Sequence, residues 1–449
     1  MFNKILIANR GEIAVRVIRA CRNMGIRSVA VYTKEDERSL HVQLADQRIC
    51  IGEGPARNNY LNIDRIVQAA RNMGCDAIHP GYGFLSENSA FARKCAEFGI
   101  AFIGPDPETI DRMGNKSEAR KTMEAAGVPI VPGTKEPVYD AKEAKKFADG
   151  IGYPVMIKAS SGGGGRGMRE VHREQDFEHL FDLAQQESAN AFGDDTMYIE
   201  KLIVNPRHVE VQVIADTQGH VVALGERDCS VQRNHQKVIE ESPSPIVNAA
   251  MREKMCAAAV TAAKTVGYVN AGTIEFIVDQ SGIFYFMEMN TRIQVEHGVT
   301  EMVTGTDLVI EQIRVAAGLP LSFSQEDVEL RGHAIECRIN AEIPEMNFMP
   351  SPGTITTLHL PAGNGVRVDT GLYAGYTVPS EYDSMIGKIL VVAPDREAAI
   401  RKMRSALDET VILGIDTNLD FLYRIMDNKV FTEGRADTGF VEKFVSGVK

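Results

Sequence analysis

The chain has 449 residues, 44% apolar and 24% charged; that length suits roughly two to four domains, and that composition excludes wholesale disorder. Lys and Arg total 49 against 61 Asp and Glu, a net charge of −12, which argues against non-specific nucleic-acid binding because that depends on neutralising phosphates with cations. A polyanionic ligand must therefore be held in a local basic pocket. The seven cysteines (Cys21, Cys50, Cys75, Cys95, Cys229, Cys256, Cys337) include no Cys-x-x-Cys pair, so reduced thiols are expected rather than a disulfide framework or a zinc site. The apolar run at 5–8 is too short for a signal peptide, and no long apolar stretch follows. The expectation is a soluble, cytoplasmic protein with no membrane association.

In chain order, 5–8 reads as a buried strand. Residues 12–24 read as a helix with Ile13, Val17, Ile18 and Cys21 at helical spacing, ending at Gly25. Strands are predicted at 28–32, 48–51, 77–79 and 101–103, with helices at 63–73 and 88–98. This βαβ rhythm implies a parallel sheet covered on both faces. After Pro129 and Pro132-Gly133, the pattern predicts strands at 154–159 and 168–172, a helix at 175–189 and a strand at 197–201. Strands at 209–214 and 221–225 follow, then a helix at 249–266 and a hairpin of 273–278 with 284–290. Beyond about 331 come short strands and turns, closed by helices at 396–409 and 417–428.

Four stretches carry chemistry. Between the strands 154–159 and 168–172 lies Ser160-Ser161-Gly162-Gly163-Gly164-Gly165-Arg166-Gly167. It matches G-x-G-x-x-G formally, but it opens no helix and no Gly-Lys-Ser/Thr closes it, so it is neither a dinucleotide fingerprint nor a Walker A loop. A glycine hairpin can close its backbone N–H groups over phosphates, with Lys158 beside it, although a surface loop would also be glycine-rich. In 288–296, Glu288, Asn290, Arg292, Gln294 and Glu296 alternate with apolar residues and Thr291. An extended segment would place all five on one side. A two-residue turn at Ser281-Gly282 would set Glu275 opposite Glu288, and paired carboxylates with Asn290 suit Mg²⁺; a half-solvated edge strand is the competing reading. The third stretch, 226–237, is dense in polar groups and reads either as an anion pocket, with His235 and Lys237 on one side of an extended chain, or as a solvated loop. The fourth, His79-Pro80-Gly81-Tyr82-Gly83-Phe84-Leu85-Ser86-Glu87-Asn88, follows a parallel strand, where open α/β sheets bind ligands; a turn into a helix capped at Ser86 leaves His79 and Tyr82 unexplained.

Asn9-Arg10-Gly11-Glu12-Ile13-Ala14, the motif at 79–88, the glycine tract, the stretches 226–237 and 288–297, and Tyr382-Asp383-Ser384-Met385-Ile386-Gly387-Lys388 together resemble biotin carboxylase, the ATP-grasp component of biotin-dependent carboxylases. The resemblance runs from residue 2 to about 430. It implies an α/β and α+β multidomain fold: a Rossmann-like N-terminal domain (1–115), an ATP-grasp region (116–330) with a mobile glycine-rich lid (about 131–203), and a C-terminal α+β domain (331–449). It implies ATP contacts from Lys116, Lys158, Gly164, Gly165, Glu200, Lys201, Ile203, His208, Gln232 and His235. Glu275, Glu288 and Asn290 would hold Mg²⁺ or Mn²⁺. Lys237, Arg292, Gln294, Val295 and Glu296 would form the bicarbonate pocket, and Tyr82 and Arg338 would contact biotin. Gly298 stands where the family has proline, Asn234 where arginine is common, and Ile343-Pro344 where Asp-Pro is common.

The implied chemistry is ATP-dependent carboxylation of biotin through carboxyphosphate, with Glu296 as base, Arg292 and Lys237 holding the anion, and Arg338 on the ureido oxygen. No Met-Lys dipeptide occurs in the chain, so biotin is expected on a separate biotin carboxyl carrier protein, with carboxyltransferase subunits elsewhere and a homodimer as the assembly. Acetyl-CoA is the expected final acceptor, with pyruvate or another acyl-CoA as the alternative. Another ATP-grasp acyl-phosphate ligase, or a non-catalytic nucleotide-binding module, would lack reason to keep Tyr82, Arg338 and 382–388 together with Glu275, Glu288 and Glu296.

Overall fold

Alternating apolar segments and glycine-terminated helices build the first sheet as their periodicity requires. In a computed structural model that describes residues 1–159, 168–192 and 195–447, five parallel strands run in the order Gln47–Cys50, Arg27–Tyr32, Lys4–Ile7, Ala77–His79, Ala101–Phe102. Ile5, Leu6 and Ile7 are completely buried, because helices cover both faces of a parallel sheet. The helix Gly11–Asn23 follows the first strand, and Ile63–Asn72 and Ser89–Glu97 flank the fourth. The last of these is capped by Asn88, whose side chain accepts from the Phe91 N–H, not by Ser86.

Strand order reverses between Lys4–Ile7 and Ala77–His79, the switch point at which open α/β sheets bind ligands. There Asn9 donates through Nδ2 to the carbonyls of Pro80 (2.8 Å) and Tyr82 (2.7 Å). Gly81 has φ +63°, and a Cβ on it would lie 2.9 Å from Asn9 Nδ2. The close approach requires glycine.

The second sheet has eight strands, in the order Phe284–Asn290, Asn270–Val278, Arg207–Ala215, Val221–Arg233, Gln236–Ser242, His333–Asn340, Met385–Ala393, Val366–Thr370. Strands after residue 330 thus continue the sheet begun at Arg207, with antiparallel pairing. On one side Ile335, Cys337, Ile389 and Val391 join Met403, Phe421 and Ile425 in a core with the helices Arg396–Glu409 and Leu419–Met426. The expected strand at 221–225 runs on to Arg233, and residues 226–232 are all buried. Residues 226–232 are therefore neither a loop nor solvated. Asn234 and His235 form the tight turn into the next strand, both with positive φ (48° and 62°), as a two-residue hairpin with right-handed strand twist demands.

The chain divides into two compact units, Met1–Val128 with Arg207–Phe276 and Glu288–Lys449, and Pro129–Pro206 with Ile277–Met287. The smaller has an antiparallel sheet, Met168–Val171, Val155–Ala159, Met197–Lys201. Val155, Ile157, Met197 and Ile199 pack there with Phe177 and Phe181. Its hairpin tip is closed by Asp279 N–H to the Ile283 carbonyl (2.9 Å), with Gly282 N–H to the Asp279 carbonyl (3.1 Å). The turn thus holds three residues, not two, with Gly282 at φ +85°, so the register that would set Glu275 across from Glu288 loses its basis. All seven cysteines are free thiols. Among the described residues no helix is long and apolar enough to cross a membrane.

Candidate active site

The paired strands Val221–Arg233 and Gln236–Ser242 set Gln232 opposite Lys237. The Lys237 ammonium is nearly buried and donates to three carboxylates: Glu210 Oε2 (2.6 Å), Glu275 Oε1 (3.0 Å) and Glu296 Oε1 (2.6 Å). An ammonium has three N–H donors, so this set exhausts them. Burial alone would lower the Lys237 pKa, but Glu210 and Glu296 push it well above the ordinary lysine value.

Arg227, fully buried, is the scaffold behind this cluster. It donates from Nε to Glu210 (2.7 Å), from Nη1 to Gln212 (2.7 Å) and Thr300 (3.0 Å), and from Nη2 to Thr273 (3.2 Å) and Gln294 (2.8 Å). Gln294 in turn donates to Glu275 Oε1 (2.7 Å), as does Asn290 Nδ2 (2.8 Å). Arg338, on His333–Asn340, donates from Nε to Glu240 Oε1 (2.6 Å) and from Nη2 to Glu296 Oε2 (3.0 Å). The two oxygens of Glu296 are thus held by two different cations.

Burial would raise the Glu296 pKa, yet Lys237, Arg338 and Arg227 hold it well below the usual carboxylate range. Glu275 is held low against its burial by Lys237 and His208, whose Nε2 lies 3.1 Å from Glu275 Oε2. Glu240 differs. Burial pushes it up to about 7 despite Arg338, and its Oε2 is buried without a partner. One of the two acids on Arg338 is thus ionised and the other poised near neutrality.

The strand carrying Glu288 ends at Asn290, so Thr291–Ile293–Glu296 is not extended and the five-on-one-side alternation fails. Glu288 is 35% exposed and pairs with Lys116 (3.1 Å), itself 84% exposed. Arg292 donates from Nε to Glu87 (2.8 Å) and from Nη2 to Asn290 Oδ1 (2.9 Å). Tyr82 donates its hydroxyl to Glu12. His208 and Gln232 are buried. His235 is exposed at the hairpin tip and does not share a side with Lys237, because the turn takes it out of the strand. In the smaller unit the Lys158 ammonium donates to the Glu200 carboxylate, while that of Lys201 donates to the carbonyls of Gly152 (2.9 Å) and Tyr153 (3.0 Å). Ile203 is half-buried. Gly164 and Gly165 lie outside the described residues.

Glu275, Glu288 and Asn290 fit a hard divalent cation as a donor set of two carboxylates and an amide oxygen. Their oxygens are met by the cations Lys237, Lys116 and Arg292 and by the His208 ring nitrogen, which are the partners such an ion would compete with. Sequence reasoning missed Glu210, Glu240 and Glu87 and assigned no role to Arg227. A signal for Glu210 was present: His208, Glu210 and Gln212 alternate with Val209, Val211 and Val213, a polar face at strand period.

Residues 1–110 match the biotin carboxylase N-terminal domain, 115–324 the ATP-binding domain of the carbamoyl-phosphate synthase L chain, and 336–443 the biotin carboxylase C-terminal domain. The chain is 56% identical over 442 residues to a biotin carboxylase of Nostoc sp., covering 98% of this chain and 99% of that protein. The chain belongs to the biotin carboxylase family. It is also 53% identical to a pyruvate carboxylase subunit of Methanothermobacter thermautotrophicus, over 100% of this chain and 91% of that one. Among solved structures it resembles the biotin carboxylase domain dimer of Hydrogenobacter thermophilus 2-oxoglutarate carboxylase in complex with MgADP, ADP and bicarbonate, with TM-score 0.89, 49% identity, and 99% and 98% of the two chains covered. Biotin carboxylases are ATP-grasp ligases, and the mixed α/β and α+β architecture expected from the motifs is that of the family.

Proposed function

We propose that this biotin carboxylase carries out ATP- and bicarbonate-dependent carboxylation of biotin on a separate carrier protein, as the first half-reaction of acetyl-CoA carboxylase. The observation that carries the reading is Glu296 held between Lys237 and Arg338. A carboxylate kept ionised can take the proton of bicarbonate, and the two cations beside it suit an anion and a developing oxyanion. Both cations also depress its basicity. Bicarbonate drawing Lys237 away, or biotin drawing Arg338, would raise it toward the working pH.

In this reading Lys237 and Arg292 hold bicarbonate with Gln294 and Val295, the planar Arg fork matching the planar anion. Glu296 removes the proton as a bicarbonate oxygen attacks the γ-phosphorus; the bond to the β–γ bridging oxygen breaks and ADP leaves. Carboxyphosphate gives CO₂ and phosphate. Phosphate takes the ureido N–H proton of biotin, Arg338 stabilises the resulting oxyanion beside Tyr82, and the nitrogen attacks CO₂. Lys116, Lys158, Gly164, Gly165, Glu200, Lys201, Ile203, His208, Gln232 and His235 serve ATP. Mg²⁺ or Mn²⁺ on Glu275, Glu288 and Asn290 would offset charge on the transferred phosphoryl group.

The reading includes the division 1–115, 116–330 and 331–449, a lid at about 131–203 closing over the nucleotide, a homodimer, and a cytoplasmic setting with carrier and carboxyltransferase subunits as partners. The test is bicarbonate-dependent ATP cleavage that rises with free biotin and yields carboxybiotin. ATP cleavage indifferent to bicarbonate would overturn it. The similarity to the Methanothermobacter pyruvate carboxylase protein favours a second reading for the acceptor alone, and the transferase that co-purifies decides between them.

A further inference from the structure

The motif at 382–388 has no part in the chemistry above, yet it ends in the most deeply placed lysine of the larger unit. Lys388, on Met385–Ala393, has no exposed side-chain surface. Glu12 Oε1 and Glu336 Oε2 each lie 3.7 Å from its ammonium. Its hydrogen bond goes to neither; it goes to the backbone carbonyl of Val295. Both oxygens of Glu336, and Oε2 of Glu12, are buried without a hydrogen-bond partner. Two acids therefore keep a charged lysine in the interior, and the lysine spends its donor on the loop that presents Glu296.

Two residues along the same strand, hence on the same face, Leu390 meets the next part of that loop. A Cβ added at Gly298 would lie 2.4 Å from Leu390 Cδ2 and 3.2 Å from Glu336 Oε2. Residues 295–298 are thus seated on Lys388 and Leu390 together. A peptide unit is planar, so fixing the Val295 carbonyl also fixes the Glu296 N–H on the opposite side and the point from which the Glu296 side chain departs.

We propose that Lys388 is a positioning residue for the anion-binding loop, holding the Val295 carbonyl so that Glu296 is delivered between Lys237 and Arg338. This rests on the reading of 294–296 as the bicarbonate pocket. Lys388→Met alone strands two buried carboxylates and lowers stability, so the informative protein is the full chain with Lys388→Met and Glu336→Gln together, which loses the donor and one acid at once. Glu336→Gln alone is the control, and Lys388→Gln with Glu336→Gln keeps an N–H donor in place.

The measurements are amide hydrogen exchange and steady-state kinetics. The Met/Gln protein should exchange at least tenfold faster across 293–298 than wild type, with the rest of the sheet unchanged. Its KM for bicarbonate should rise at least tenfold while KM for ATP stays within twofold. The Gln/Gln protein should recover part of both effects, and the control neither. Unchanged exchange at 293–298, or exchange that quickens throughout the sheet with both KM values rising together, overturns the proposal. If wild type cleaves ATP without regard to bicarbonate, it is the functional reading that fails; the exchange measurement still decides whether Lys388 holds the loop.

Discussion

In the parallel sheet the strand Lys4–Ile7 buries Ile5, Leu6 and Ile7 completely; in the eight-stranded sheet the fully buried positions include Glu210, Arg227, Glu240, Glu336 and Lys388. The first arrangement gains stability from apolar area removed from water. The second requires every charge to find a partner, since ion pairs taken out of water gain little over apolar packing and cost heavily when broken. One sheet is built to stay folded, the other to hold charges at fixed positions.

Substitutions should therefore separate the two. The largest effect belongs to Glu296→Gln, which keeps shape but accepts no proton: turnover should fall by about 10²–10⁴-fold with little change in ATP affinity. Turnover near normal would remove Glu296 from the role of base.

Next comes Arg338→Ala. It takes the ion-pair partner from Glu240 and leaves Glu296 with Lys237 alone, and breaking such a buried pair typically costs about 3–5 kcal/mol. Because Arg338 touches Glu296 directly, biotin-independent ATP cleavage should fall along with carboxybiotin formation. Adding Glu240→Gln should restore melting temperature but not carboxybiotin. Recovery of carboxylation in that double variant would assign Arg338 to structure alone.

In the parallel sheet, Leu6→Ala should cost about 2–5 kcal/mol by opening a cavity, read from denaturant unfolding, while KM for bicarbonate in the folded fraction stays unchanged. A shifted KM would mean the two regions are not separable.

The smallest effect is pH dependence in the N-terminal part. Burial pushes His41 and His79 down to about 4, so the unfolded chain binds their protons first. Their stabilising contribution is complete above about 6.5 and is lost as pH falls from there toward 4, by up to roughly 2 kcal/mol for each at pH 5. Glu241, held near 2 against its burial by His333 and Arg396, loses its contribution only as pH falls below the normal carboxylate range toward that value. Melting between pH 7.5 and 5 should therefore fall in wild type and fall less in His41→Gln; a flat wild-type profile would exclude the mechanism.

The same contrast governs what the sequence discloses. The strands at 5–8, 28–32 and 77–79 are legible because an apolar run bounded by helix and glycine has one interpretation. The buried polar strand through Glu226–Arg227–Asp228 is not, because composition cannot distinguish a solvated segment from one whose partners arrive from residues 210, 273, 294 and 300. The resemblance singled out Lys237, Arg338 and Glu296, which the structure brings together, but it did not name the partners Glu210 and Glu240. Local turn chemistry also intervened: Gly282 lengthens one hairpin by a residue, and Asn234-His235 turns His235 outward.

The eight-stranded sheet is also assembled from distant stretches of chain, with Glu12 beside it from the first helix and Arg338 and Lys388 arriving only with its strands after residue 332. Until those strands dock, Glu240 and Glu12 lack the cations they face in the folded protein, and Glu296 has Lys237 but not Arg338. A folding chain therefore gains less from closing this part early: Lys237 and Arg227 can already pair with Glu210, but Glu240 and Glu12 gain their cations only when long-range closure is complete. The order of assembly follows: the apolar N-terminal sheet and the small unit can form from local contacts, whereas the centre between Lys237 and Arg338 comes last and all at once. Cutting the chain between the two halves should leave fragments that recover it only when mixed.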